Sequence, residues 1–321
     1  MTKPRGCYNS AHFTRKDQIM SDTNNTLPAF FINAFYESKF RDNLFIIKAS
    51  GSVIEDDDAR NNLIANIREL NLVGIKVILI YGGGHAIDAA LEQRGIEIQK
   101  NDGRRITDAA TMQVIREVIG GDLSLSVYEA MQRHYIEGLC FNAVPSDWMH
   151  VDLRSKDPVD YGFVGDIKDV YTRPIMRKLK ITDFIACPCL SISADGHLCN
   201  INADTVATQL AAGLKADKLI FMSDVDGVNI DGKTALMVTA EDIPGLIKDG
   251  IVTDGMKVKM ENCLEALNSG VKRIHLINGL RENALYKEIF ESMGPGTMIW
   301  QESECANYMN EVDVQKAIGR K

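Results

Sequence analysis

The chain has 321 residues, and its 36 Lys and Arg against 44 Asp and Glu leave a formal charge of −8. A hydrophobic fraction of 45% with 25% charged residues is the balance of a globular protein, not of a disordered one. The acidic balance supplies no long-range attraction to nucleic acid, and no run of 18 apolar residues offers a membrane span. The seven cysteines and six histidines are scattered, and Cys187-Pro188-Cys189 has neither zinc spacing nor a partner pair, so no metal site is expected. An odd cysteine count without the apolar core of a secretory signal reads as reduced thiols in the cytoplasm.

Residues 1–25 are polar and irregular and are expected to be flexible. Residues 26–40 read as a helix with Pro28 in its first turn. Its Phe30, Phe31 and Phe35 stripe needs a cover, either another subunit or its own domain; the segment is read as an oligomerisation helix. Leu44–Ile47 reads as a strand, Asp57–Leu72 as a helix, Lys76–Ile80 as a strand and Ala86–Arg94 as a helix. Asp108 can cap a long helix running towards His134, with Gly120-Gly121 as a weak spot. Residues 138–175 read as hairpins. The alternation then resumes: strand Phe184–Ser191, helix Thr205–Gly213 capped by Asp204, strand Lys218–Met222, helix Met256–Ser269, strand Arg273–Ile277, helix Glu282–Met293 and strand Thr297–Trp300. This rhythm predicts an α/β fold with two lobes, 41–180 and 181–300, and a tail at 301–321 holding a short helix.

Six polar clusters interrupt the apolar pattern. Lys48 leaves the end of a strand beside Ser50 and Gly51, where a cation can reach across a ligand crevice. Gly82-Gly83-Gly84 lies between a strand and a helix and can expose backbone N–H groups to an anion, although neither the dinucleotide nor the P-loop fingerprint is met. Arg105, in Arg104-Arg105-Ile106-Thr107-Asp108, has the fork that matches a carboxylate; either arginine also suits a surface ion pair. Asn200, Asn202 and Asp204 crowd two amides and a carboxylate into five residues, which suits a polar site or a helix cap. Ser223, Asp224, Asp226 and Gly227 follow an apolar strand, and Gly255 and Lys259 open a helix; each suits a turn as well as a site. Lys48 and Lys259 together would supply the charge neutralisation that phosphoryl transfer needs.

In this order and spacing, from about Leu44 to Trp300, the chain resembles the amino acid kinase family, and within it the arginine-sensitive branch that phosphorylates acetylglutamate. The resemblance implies an open αβα sandwich with a mainly parallel sheet, the lobe at 41–180 binding the acyl amino acid and that at 181–300 binding ATP. It implies ATP-dependent phosphorylation of the side-chain carboxylate of N-acetyl-L-glutamate, giving N-acetyl-L-glutamyl 5-phosphate and ADP in arginine biosynthesis. Lys48 and Lys259 would contact the transferring group, with Asp204 holding both. Gly83, Gly84, Arg105, Asn200 and Asn202 would bind the acid. Lys48, Gly51, Ser223, Asp224, Asp226, Gly227, Gly255 and Lys259 would surround the nucleotide, and Mg2+ would be carried mainly by the phosphates.

Four positions depart from the family pattern: Ser50 replaces a glycine, Tyr81 a histidine, His85 a proline, and Arg104 an apolar residue. They keep two alternatives in view, a related kinase for another acyl amino acid or small phosphate acceptor, and a catalytically weak nucleotide- or amino-acid-binding regulatory protein. The aromatic N-terminal helix and Glu288-Ile289-Phe290 before Gly294-Pro295-Gly296-Thr297 resemble the arginine-inhibited branch, which implies arginine as an effector and a dimer or hexamer; Asn283 stands where that branch has a histidine. Too few residues follow Trp300 for an appended acetyltransferase, so a stand-alone kinase is expected.

Overall fold

The computed structural model describes residues 29–101, 103–291 and 294–308, and side chains at 29–34 and 254 fall outside that description. The segment 1–25 and the tail beyond 308 therefore lie outside the described residues.

Eight strands form one sheet: β1 (Leu44–Ala49), β2 (Lys76–Tyr81), β3 (Leu139–Cys140), β4 (Phe184–Pro188), β5 (Lys218–Ser223), β6 (Met237–Thr239), β7 (Arg273–Asn278) and β8 (Thr297–Trp300). Their spatial order is β6-β8-β7-β5-β1-β2-β4-β3. Every pairing is parallel except that of β7 with β8. The central strands are apolar runs, Leu44-Phe45-Ile46-Ile47 and Val77-Ile78-Leu79-Ile80, buried on both faces as a covered parallel sheet requires. The expected division near residue 180 does not interrupt the sheet, because β4 pairs with β2.

Helices cover both faces. They are α1 (Ala29–Phe40), α2 (Gly51–Ile54), α3 (Asp57–Leu72), α4 (Gly84–Gln93), α5 (Ala109–Glu117), α6 (Ser124–Arg133), α7 (Thr172–Lys178), α8 (Ala203–Leu214), α9 (Ile243–Lys248), α10 (Asp254–Asn268) and α11 (Ala284–Phe290). α8 packs on β1, β2 and β5 and against α10, while α3 packs on β2 and against α6 and α11. Asp108 caps α5 by accepting from Thr111 N. The expected weak spot is a π-turn over Val118–Leu123, centred on Gly120-Gly121, which joins α5 to α6. One correction concerns α8: Asn202, not Asp204, is its cap, accepting from Thr205 N at 3.1 Å. That frees the Asp204 carboxylate, one residue inside the helix, for a different partner.

In α1 the last turns belong to the core. Tyr36 and Phe40 are buried among Phe45 and Phe290, and the Tyr36 hydroxyl donates to Phe290 O at 3.0 Å. Phe35 also packs on this core, while the side chains of Phe30 and Phe31 lie outside the description. Among the described residues no helix is long and apolar enough to cross a membrane.

Candidate active site

β1 is followed in sequence by β2 on one side, and β5 later takes the place on its other side. The strand order thus reverses beside β1, and ligands of open α/β sheets bind beyond the carboxyl ends of strands at such a point. A cleft of about 440 Å³ opens there. It is bordered by Lys48 near the end of β1 and Ser50 and Gly51 after it, by Gly82, Gly83 and Gly84 after β2, by Arg104 and Arg105, by Asn200, Asn202 and Asp204, and by Asp224 after β5.

The Lys48 ammonium lies 2.7 Å from Asp204 Oδ1, with side chains only 12% and 20% exposed. Burial by itself raises the Asp204 pKa, but the charges of Lys48 and Lys259 and the hydrogen bond from Lys48 outweigh it, so the carboxyl is held below its ordinary value. Lys259, in α10, lies 5.9 Å from the Phe221 ring centroid. Burial lowers its pKa, Asp204 opposes that shift, and repulsion from Lys48 adds to it. Two ammonium groups around one carboxylate leave an excess positive charge that an incoming polyanion would satisfy.

The glycine turn supplies the second element of the site. Gly83 is the N-cap of α4, and the first N–H groups of a helix have no acceptor within it. A Cβ at Gly83 would collide with Leu123 of the π-turn, so that turn closes the back of the glycine loop. A Cβ at Gly51 would stand 2.5 Å from Glu55 Oε1 and 3.0 Å from Gly84 N, whereas Gly84 and Gly255 face open space. The two loops approach so closely that a side chain at Gly51 would displace backbone.

Arg105 comes from a short hairpin, Lys100–Asn101 with Arg104–Arg105. Its side chain is 9% exposed and forms an ion pair with Asp88 of α4, which also accepts from Lys100 at 2.9 Å. Burial raises the Asp88 pKa, but the hydrogen bonds from Arg105 and Lys100 prevail and lower it. Sequence reasoning missed Asp88, the ion-pair partner of Arg105. It lies 17 positions from Arg105, and only the hairpin brings them together. Arg154, a third cleft arginine, carried no motif signal either.

The remaining expected site residues separate into two groups. Asn200 and Asn202 both border the cleft, but the Asn202 side chain is engaged as the α8 cap. Asp224 borders the cleft; Ser223 is buried at the end of β5 and is not part of the cleft lining. The Asp226 carboxylate accepts from Asn278 Nδ2 at 2.9 Å and from Arg281. Gly227 has φ +143°, and a Cβ there would collide with the Thr297 hydroxyl, whose oxygen accepts from Val228 N. Asp226 and Gly227 thus have structural work in shaping this loop. Of the four departures, Ser50, His85 and Arg104 border the cleft. Tyr81 does not: it is buried, within 3.0 Å of Ser124 Oγ, and burial raises its phenol pKa well above the ordinary value.

The amino acid kinase family model matches residues 43–278, and the chain belongs to that family. It is 33% identical over 266 residues to an acetylglutamate kinase of Campylobacter hominis, covering 82% of this chain and 93% of that one. It is 36% identical over 276 residues to an acetylglutamate kinase of Halothermothrix orenii, covering 83% and 94%. Among solved structures, an N-acetylglutamate synthase from Neisseria gonorrhoeae, in complex with coenzyme A and N-acetyl-glutamate, superposes with a TM-score of 0.76 at 23% identity. That match covers 85% of this chain and 62% of the synthase, and at this identity it shows the fold alone. The fold is the α/β amino acid kinase type, and family membership makes the protein a phosphotransferase of that class.

Proposed function

We propose that the protein transfers the γ-phosphoryl group of ATP to the side-chain carboxylate of N-acetyl-L-glutamate, giving N-acetyl-L-glutamyl 5-phosphate and ADP in arginine biosynthesis. The observation that carries this reading is the Lys48–Asp204 pair, with Lys259 coupled to it, beside the glycine turn in a cleft that also holds Arg105. The curated relatives named acetylglutamate kinase support the choice of acid.

The residues fit a phosphate chain. Lys48 and Lys259 neutralise charge as the group moves, and Asp204 fixes both ammonium groups. Gly83 and Gly84 offer backbone N–H groups to the reacting carboxylate. A carboxylate is ionised near neutral pH, so the acceptor oxygen needs no general base. It bonds to the γ-phosphorus as the bond to the β–γ bridging oxygen breaks, and that electron pair leaves on ADP. Mg2+, carried mainly by the nucleotide phosphates, would supply further charge neutralisation. Arg105, set by Asp88, binds the α-carboxylate with Asn200. The Asp224 side of the cleft receives the nucleotide, with Gly51, Ser223, Asp226, Gly227 and Gly255 shaping its surroundings. In this reading residues 41–180 hold the acid, residues 181–300 hold ATP, and the chain works in the cytoplasm as a dimer or hexamer with arginine as effector.

ADP release measured over a panel of acyl amino acids tests the reading. Turnover of acetylglutamate is expected; turnover of another acid alone overturns the choice of substrate. The second reading, a related kinase for a different acid, is favoured by Arg104 and His85, two departures from the family pattern on the cleft border.

A further inference from the structure

Arg154 borders the same cleft, and the reaction outlined above gives it no role. It follows the strand Met149–Leu153. Its Nε and Nη2 donate to Asp166 Oδ1 at 3.0 and 2.5 Å, and its guanidinium lies 5.1 Å from the Tyr161 ring centroid. The side chain is 19% exposed. These contacts use one edge of the guanidinium and leave Nη1 without a hydrogen-bond partner among the described residues.

The backbone couples this arginine to the acid-binding side of the cleft. Thr107, two residues after Arg105, donates from N to Tyr161 O at 2.9 Å and accepts at O from Phe163 N at 2.7 Å. Phe163 O accepts from Asn200 N at 2.9 Å, and Val164 O accepts from Arg154 N at 2.8 Å. The Tyr161 hydroxyl, whose ring lies under Arg154, accepts from Asn101 Nδ2 of the Arg105 hairpin at 2.8 Å. Arg105, Asn200 and Arg154 are thus carried by one laterally bonded belt. A hairpin already held by backbone bonds gains little stability from a partly exposed ion pair. A guanidinium fixed in advance, however, loses little freedom when it binds an oxygen.

We propose that Arg154 is a specificity-determining residue for the acceptor acid, its Nη1 donating to an acid oxygen remote from the transferring group. That oxygen belongs either to the N-acyl carbonyl or to the α-carboxylate. The inference rests on the phosphotransfer reading above.

The test compares wild type with Arg154→Gln and Arg154→Lys in steady-state assays with acetylglutamate and ATP, alongside thermal melts. Loss of one charge-assisted hydrogen bond predicts an acid KM raised about 10-fold or more, with the ATP KM within about twofold. Arg154→Lys recovers part of the loss. A merely structural arginine would shift the melt and leave the acid KM alone, and that result overturns the proposal. If Arg154→Gln does not fold, an unchanged acid KM in Arg154→Lys overturns it equally. The α-carboxamide analogue of acetylglutamate separates the two oxygens. Dependence on Arg154 that persists with the analogue assigns the acyl carbonyl, and dependence that disappears assigns the α-carboxylate. A wild-type chain that neither binds nor phosphorylates any acyl amino acid sinks the phosphotransfer reading together with this one, a result reached without any variant.

Discussion

Replacing Asp204 by Asn keeps the shape of the side chain and removes its charge. In the native cleft the carboxylate stands 2.7 Å from the Lys48 ammonium, with 20% of the side chain exposed. At an effective dielectric of about 20 the gross attraction at that distance is about 6 kcal/mol, most of it offset by the cost of desolvating both charges. The net loss of a charge-assisted hydrogen bond is about 1.5–3 kcal/mol. Near the upper end, at about 1.4 kcal/mol per decade, kcat falls about 100-fold. The variant carries a second signature. Asp204 is the charge that opposes the burial-driven lowering of the Lys259 pKa, so its removal lowers that pKa further. Lys259 then loses its proton at lower pH, and the alkaline limb of the kcat profile moves down in pH. Both quantities come from a coupled ADP-release assay between neutral and alkaline pH, with circular dichroism confirming the fold. A folded Asp204→Asn enzyme with kcat within about fivefold of wild type and an unmoved alkaline limb would refute the electrostatic role given to Asp204.

Arg105→Ala is expected to raise the KM for acetylglutamate with little change in the KM for ATP, and Asp88→Asn to reproduce part of that effect by freeing the guanidinium. Gly227→Ala forces a Cβ onto the Thr297 hydroxyl at φ +143°, so urea denaturation is expected to show a loss of about 1–3 kcal/mol; an unchanged midpoint with a raised ATP KM would return Gly227 to a purely nucleotide-binding role. His275 is buried within 2.7 Å of Glu288 and 3.0 Å of Lys218; burial, then the Lys218 charge, lower its pKa from 6.5 to about 4 although Glu288 opposes them. A folded value below the unfolded one means that this contribution is complete above pH 6.5 and is lost as pH falls through about 4, about 3 kcal/mol in all. His275→Gln is expected to flatten urea-measured stability over that window.

Much of this protein was legible from local pattern. The boundaries of Asp57–Leu72 and Thr297–Trp300 coincide with the structure because a capping Asp56 and a short apolar run are local signals. Lys48 and the three glycines were legible for a related reason: they stand where an apolar run ends, and the carboxyl ends of such strands face the crevice. The Gly120-Gly121 weak spot was legible as a weakness but not as a π-turn, whose Leu123 packs behind Gly83, a contact between segments distant in sequence. Tertiary structure alone decided the rest. Asn202 and Asp204 are both competent cap residues by type; in the fold Asn202 caps α8, while β1 brings the Lys48 ammonium to Asp204. Asp88 and Arg154 gained their places through a hairpin and a lateral belt of backbone bonds whose partners are far apart in the chain. Local sequence sets backbone preference and apolar face; the partner of a charged side chain is set by which segments the sheet order makes neighbours.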